Sequence, residues 1–134
     1  MSIVVVDASA LVALLLDSGF AGEWVTDQLR GRVIAAPHLV TFETANIIRR
    51  HLAGKLVTPD AARNANRFLR DLQIELWPYE PLAERSWELR SNLTTYDAAY
   101  VALAELLSAP VITLDKRLAA VKRLRCAVLT PPGV

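Results

Sequence analysis

The chain is poor in the residues that staple or metallate small domains: of 134 residues, one is cysteine (Cys126) and two are histidine (His38 and His51). A lone thiol excludes an internal disulfide framework, and no Cys/His zinc pattern can be written from so few ligands. This usage fits a reducing cytoplasm. Both histidines stand isolated and read as structural. The five glycines form neither GxGxxG nor a P-loop, so no backbone cradle for a nucleotide is expected. No apolar run is long enough to span a membrane. The N-terminal stretch to Leu16 is apolar, but it lacks a basic leader and Asp7 interrupts it, so it is not read as a signal peptide. Repeats, linkers and low-complexity segments are absent, and the length suits one domain spanning residues 1–134.

Charge is nearly balanced, with 15 Lys plus Arg against 14 Asp plus Glu. If four acids were engaged by a metal, 15 basic side chains would face the 10 remaining acids, a net +5. Beyond Asp115 the chain carries Lys116, Arg117, Lys122, Arg123 and Arg125 and no acid, a basic end that suits a polyanionic partner.

What the chain does have is 53% hydrophobic residues arranged as alternating strand and helix signals. The apolar, β-branched run 2–6 reads as a parallel strand, ended by Asp7. Helices are expected over 10–16 and 20–29, then a strand over 33–35, with Pro37 starting the next connection. A helix over 38–53 is closed by Gly54. Thr58 and Pro59 start another, running to about 70, with Arg63, Arg67 and Arg70 along one side. A strand over 74–77, a helix over 82–93 with Trp87 in the core, a helix over 96–107, a strand over 111–114, a helix over 116–123 and a strand over 126–129 complete the chain. Such alternation predicts an α/β fold, a parallel sheet with helices on both faces.

Four acids stand out against this frame. Asp7 and Asp115 end strands, where open parallel sheets place their ligands. Asp97 opens an almost wholly apolar helix and shares a face with Tyr100, Val101 and Ala104. Each of these three also fits as a helix cap or dipole partner. Glu43 has no such role, since it lies mid-helix in line with Leu39, Val40, Asn46 and Ile47. Brought to one crevice with no lysine or arginine between them, four carboxylates would raise each other's pKa unless a cation joined them. Oxygen ligands alone suit Mg²⁺ or Mn²⁺. The chemistry implied is metal-dependent phosphodiester hydrolysis. Ser9 and Thr113, each two residues from an aspartate, are candidates for holding a ligand or a metal-bound water. A phosphoacceptor module would need an adjacent acidic pair after the first strand, and an aspartyl phosphatase would need Asp-x-Asp. Ala8 and Ser9 stand there instead.

The order VVVDASA, FETAN, TTYDAAYVALA and VITLDKRL resembles the PIN-domain ribonucleases, and specifically the VapC-type toxins of bacterial toxin–antitoxin pairs, over essentially the whole chain. The resemblance implies a PIN-like three-layer α/β/α sandwich with a five-stranded parallel sheet. It also implies a Mg²⁺- or Mn²⁺-dependent endoribonuclease acting on structured RNA such as tRNA or rRNA. The family's acids fall on Asp7, Glu43, Asp97 and Asp115, and its small hydroxyls on Ser9 and Thr113. A homodimer and a small cognate antitoxin are further implications. Lys116, Arg117 and Arg123 are the candidates for holding RNA phosphates. An RNA-processing nuclease or RNA-binding module without a toxin role is the alternative.

Overall fold

In the computed structural model, which describes residues 2–133, the chain begins with β1 (Ile3–Val6), α1 (Ala8–Leu16), α2 (Phe20–Leu29) and β2 (Val33–Pro37). It continues with α3 (Leu39–Ala53), α4 (Pro59–Asp71), β3 (Glu75–Trp77) and a 3-10 turn (Glu80–Leu82) that runs into α5 (Ala83–Glu88). The last elements are α6 (Thr95–Leu107), β4 (Val111–Ile112), α7 (Lys116–Ala119) and β5 (Val128–Leu129). The five strands form one all-parallel sheet in the order β3-β2-β1-β4-β5. The chain steps outward from β1 to β3, then returns to the far side of β1 for β4. Right-handed crossovers therefore place α1 to α4 on one face and α5 and α6 on the other. The packing agrees: α1 to α4 touch one another, while α6 lies on β1, β2 and β4 with α5 against it. No single helix among the described residues is long and apolar enough to cross a membrane.

The core follows from the sequence pattern. Val4, Val5 and Val6 are buried, as a strand covered on both faces requires. In α6 every residue from Ala98 to Ala104 is buried, and fully buried side chains such as Val101 and Leu103 contribute about 1.5–3 kcal/mol each. Gly22 marks where α2 turns against the end of α1, because a Cβ there would stand 1.8 Å from the Asp17 carbonyl oxygen.

Several boundaries depart from expectation, each for a local reason. Pro37 does not start a connection; it is the last residue of β2, paired with Trp77 on the edge strand. Gly54 caps α3 at φ −83°, and the left-handed residue is Lys55 at φ 60°. The helix expected over 82–93 ends at Glu88, because the amides of Arg90 and Asn92 bond back to the carbonyls of Trp87 and Leu89 in tight turns. The helix expected over 116–123 stops at Ala119, and Arg123, at φ 67°, has left helical space altogether. The strand expected over 111–114 is two residues long, since the Leu114 amide bonds to Ser9 Oγ instead of a ladder carbonyl. The strand expected over 126–129 is only Val128–Leu129.

Trp87 is not in the core. It is 67% exposed, with the Arg90 guanidinium 4.4 Å from its ring centre, because its neighbour Ser86 takes the inward face of α5. The α4 face is solvated: Arg63 pairs with Asp60 and Arg70 with Asp71, both exposed, and Ala62, Ala65 and Leu69 face inward.

Candidate active site

The strand order reverses between β1 and β4, so the crevice beyond their carboxyl ends is where an open parallel sheet receives a ligand. Val5 pairs with Val111 and Val6 with Ile112. One step further along the register stand Asp7 and Thr113. Their side chains meet: the Thr113 hydroxyl donates to Asp7 Oδ2 in a short hydrogen bond. Ser9, in the first turn of α1, donates to Asp7 Oδ1 at 2.7 Å, and the Ala10 amide reaches the same oxygen at 3.0 Å, capping α1. Asp7 is therefore both the helix cap that its position suggested and a fixed, nearly buried carboxylate, 9% exposed.

A carboxylate offers about four lone-pair sites, and three of Asp7's are taken. What remains is one site on Oδ2. Ser9 and Thr113 are likewise committed: Ser9 Oγ accepts from the Leu114 amide (3.0 Å), and Thr113 Oγ1 from the Asp115 amide (2.9 Å). In the structure both hold Asp7 and the backbone leading to Asp115.

Glu43, in the second turn of α3, is half-buried and accepts a 2.5 Å hydrogen bond from the Tyr100 hydroxyl. That bond links the two helical layers across the carboxyl edge of the sheet. Asp97 lies in the first turn of α6, which Thr94 caps by accepting from the Asp97 amide at 3.2 Å, so Asp97 itself is not the cap. Asp115 caps α7 through the Arg117 amide and holds the Arg117 guanidinium at 3.2 and 3.3 Å. The absence of basic groups expected from sequence thus fails at the rim, where Arg117 covers one acid.

Each of the four acids is coupled to at least one other through its charge. Burial is the main cause raising the pKa of Asp7, Glu43 and Asp97, and mutual repulsion adds to it. Asp115 acts on Asp7 and Asp97, while Asp97 and Asp7 act on Glu43. Asp115 alone is lowered, first by its hydrogen bond to Arg117. The Tyr100 phenol is raised by burial and by the Glu43 carboxylate it faces. No three of the acids close tightly enough among the described residues to enclose an ion.

Lys116 and Arg117 follow Asp115 directly. Arg123 does not join them: it lines a shallow depression with Asn92, Val121 and Lys122 that contains none of the acids. Tyr100 is the site residue that sequence reasoning passed over, although its spacing of three from Asp97 put it on the same face. Cys126 is half-buried, with its thiol pushed up to about 11 by desolvation, and takes no part.

Known proteins share this fold. The PIN domain family matches residues 4–124. Ribonuclease VapC9 of Mycobacterium tuberculosis is 37% identical over 96% of this chain and 98% of its own length. Among solved structures, a toxin–antitoxin complex from Klebsiella pneumoniae superposes with a TM-score of 0.68 at 20% identity, covering 98% of this chain and 99% of that one. VapC20 of M. tuberculosis, described as a sarcin-ricin loop cleaving toxin, superposes at 0.66 with 18% identity over 87% and 93%. These last two show the shared fold.

Proposed function

The chain belongs to the PIN domain family and, within it, to the VapC ribonucleases, and from that premise we propose that it is a metal-dependent endoribonuclease, the toxin of a toxin–antitoxin pair. The observation that supports the reading is Asp7 at the β1/β4 switch point, held by Ser9, Thr113 and the Ala10 amide with one coordination site left open, together with the charge repulsion that links it to Glu43, Asp97 and Asp115.

The donor set fits a hard divalent cation. It is all oxygen and is destabilised by its own repulsion, which suits Mg²⁺ or Mn²⁺, ions that keep several waters and few protein ligands. Asp7, Asp97, Asp115 and Glu43 are the residues that would hold the ion. Such an ion supplies a water acidic enough to attack a phosphodiester and charge to stabilise the oxygens of the transition state. The chain's own groups then have distinct tasks. Ser9, Thr113 and the Ala10 amide hold Asp7 in one orientation. Tyr100 holds Glu43 towards the crevice. Arg117, 92% exposed on its side chain and so free to swing, is placed to leave Asp115 and take an RNA phosphate, beside Lys116.

The test is cleavage of tRNA and rRNA by purified protein with Mg²⁺, Mn²⁺ or EDTA, beside Asp97→Asn prepared identically. Cleavage that needs metal and vanishes in the variant supports the reading; cleavage surviving EDTA in both samples sinks it. The toxin role adds three proposals: a small antitoxin that blocks the crevice, a homodimer, and action in the cytoplasm. Growth arrest on induction, relieved by the adjacent small protein, tests that role. A nuclease that cuts RNA without arresting growth belongs to RNA processing instead.

Arg117 offers a separate prediction. Its guanidinium competes with a cation for Asp115, so Arg117→Ala is expected to tighten Mn²⁺ binding several-fold in calorimetry. Weaker binding would mean that Arg117 orients Asp115 for the ion.

A further inference from the structure

Near the start of α6 lies a cavity of about 430 Å³, largely apolar, within the roughly 300–1,000 Å³ usual for small-molecule sites. It opens where β2 and β3 end, between His38 and Trp77, and its walls include Tyr79, Glu80, Ser86 and Tyr96. Tyr79 and Tyr96 are 66% and 63% exposed, aromatic surface that the fold leaves uncovered. Ser86 is 4% exposed, and its hydroxyl has no hydrogen-bond partner within the protein. Two of the acids stand close along the chain: Tyr96 precedes Asp97 in the first turn of α6, and His38 precedes α3, whose second turn carries Glu43.

Among the described residues of the wall, Glu80 is the only carboxylate and there is no lysine or arginine. A phosphate would be repelled, whereas a flat π-system with N–H groups along one edge would be held. Unpaired bases are read in this way, by stacking on aromatic rings and by hydrogen bonds to the Watson–Crick edge. Guanine presents N1–H and the N2 amine side by side, a match for the two oxygens of one carboxylate. We propose that this cavity receives an unpaired guanine of the RNA next to the phosphate that is cut, with Tyr96 and Tyr79 supplying the stacking surface and Glu80 reading the base edge. The proposal rests on the nuclease reading for its substrate.

The experiment uses the full chain carrying Asp97→Asn, with Mg²⁺, so that no RNA is cut. Fluorescence anisotropy follows three labelled heptamers: uridines with one central guanosine, the same with inosine, which lacks the N2 amine, and uridines throughout. The guanosine RNA is expected to bind about tenfold tighter than all-uridine, with inosine between. Adding Glu80→Gln should erase the preference for guanosine over inosine. Adding Tyr96→Ala should weaken guanosine binding about tenfold, and Tyr96→Phe should retain it. Glu80 and Tyr96 are exposed, so these changes leave the fold in place. Equal affinity for the three RNAs, or binding to none, overturns the assignment. Failure of the nuclease reading is seen separately, as absence of metal-dependent cleavage by the unsubstituted protein.

Discussion

Asp97→Asn is expected to lose more than about a hundredfold in cleavage rate, since even residues that merely support metal ligands typically cost about 10- to 100-fold, and yet to melt slightly higher than the parent protein in EDTA. The two effects have one origin. Burial and the neighbouring Asp115 both raise the Asp97 pKa, so without a cation its charge works against the fold. Asparagine keeps the shape and removes the charge. Because Asp97 is partly solvated, the gain is small, up to about 3 °C. Saturating Mg²⁺ should reverse the order. A ligand at about 100 times its Kd adds roughly 2.7 kcal/mol to the protein that binds it, and the variant forgoes that gain. A variant that melts below the parent in EDTA would make Asp97 a structural element of the α6 start.

The same electrostatics set a pH dependence with a definite sign. Asp7, Glu43 and Asp97 have folded-state pKa values above their ordinary 3.8 and 4.5, so the folded state binds protons more readily than the unfolded state. Their stabilising effect is complete below those ordinary values and is lost as pH rises through the raised ones. Metal-free protein should therefore gain stability on mild acidification from neutrality. Asp115 and Glu105 are lowered by Arg117 and Arg85, and they oppose this below the ordinary carboxylate range. Chemical denaturation in EDTA across this range, with Asp97→Asn showing a flatter slope, checks the sign.

Most of this arrangement was legible in the residues, for reasons that also explain what was missed. A β-branched run ended by Asp7, and an apolar helix opened by Asp97, are local signals, and the alternation of elements fixes the parallel sheet to which they belong. Glu43 was conspicuous because a charge among apolar neighbours mid-helix needs a partner. The identity of that partner, Tyr100, required the fold, since 57 residues separate the two. The committed state of Ser9 and Thr113 depended on the β1–β4 register, and sequence alone leaves their hydroxyls free to face a ligand. Arg117 on Asp115 was not legible because Arg117 reads as one of a run of basic groups, and only the structure shows its guanidinium folded back on the α7 cap. Trp87 failed because hydrophobicity was allowed to decide where periodicity should have done so. The aromatic cavity was invisible because its walls come from four separate stretches, each of which reads as ordinary turn or cap.

Asp7→Ala should behave in the opposite way to Asp97→Asn, destabilising metal-free protein by about 2–3 kcal/mol and shifting its urea midpoint by about 1–2 M. Losing a helix cap costs about 0.5–2 kcal/mol. Depriving the Thr113 hydroxyl proton of its carboxylate acceptor at 0% exposure, with only a 3.3 Å contact to Ser9 Oγ to replace it, costs up to roughly a further 1–3 kcal/mol. Relief of a buried, repelled charge offsets part of the sum. Ser9 adds little, since it keeps the Leu114 amide and is open to water on one side. Asp7→Asn separates charge from geometry. Its carbonyl oxygen can still accept from Ser9 and Ala10, and its amide can donate to Thr113, so it should stay within about 1 kcal/mol of the parent. Both variants should be inactive, one with its β1–β4 bridge broken and the other with the bridge kept but the charge gone. Should Asp7→Ala not fold, Thr113→Val removes the same bridge from the other side, and its stability loss reads the same interaction. Equal stability of Asp7→Ala and Asp7→Asn would mean that the hydroxyls find other partners, and that the backbone alone aims the open oxygen of Asp7 at the crevice.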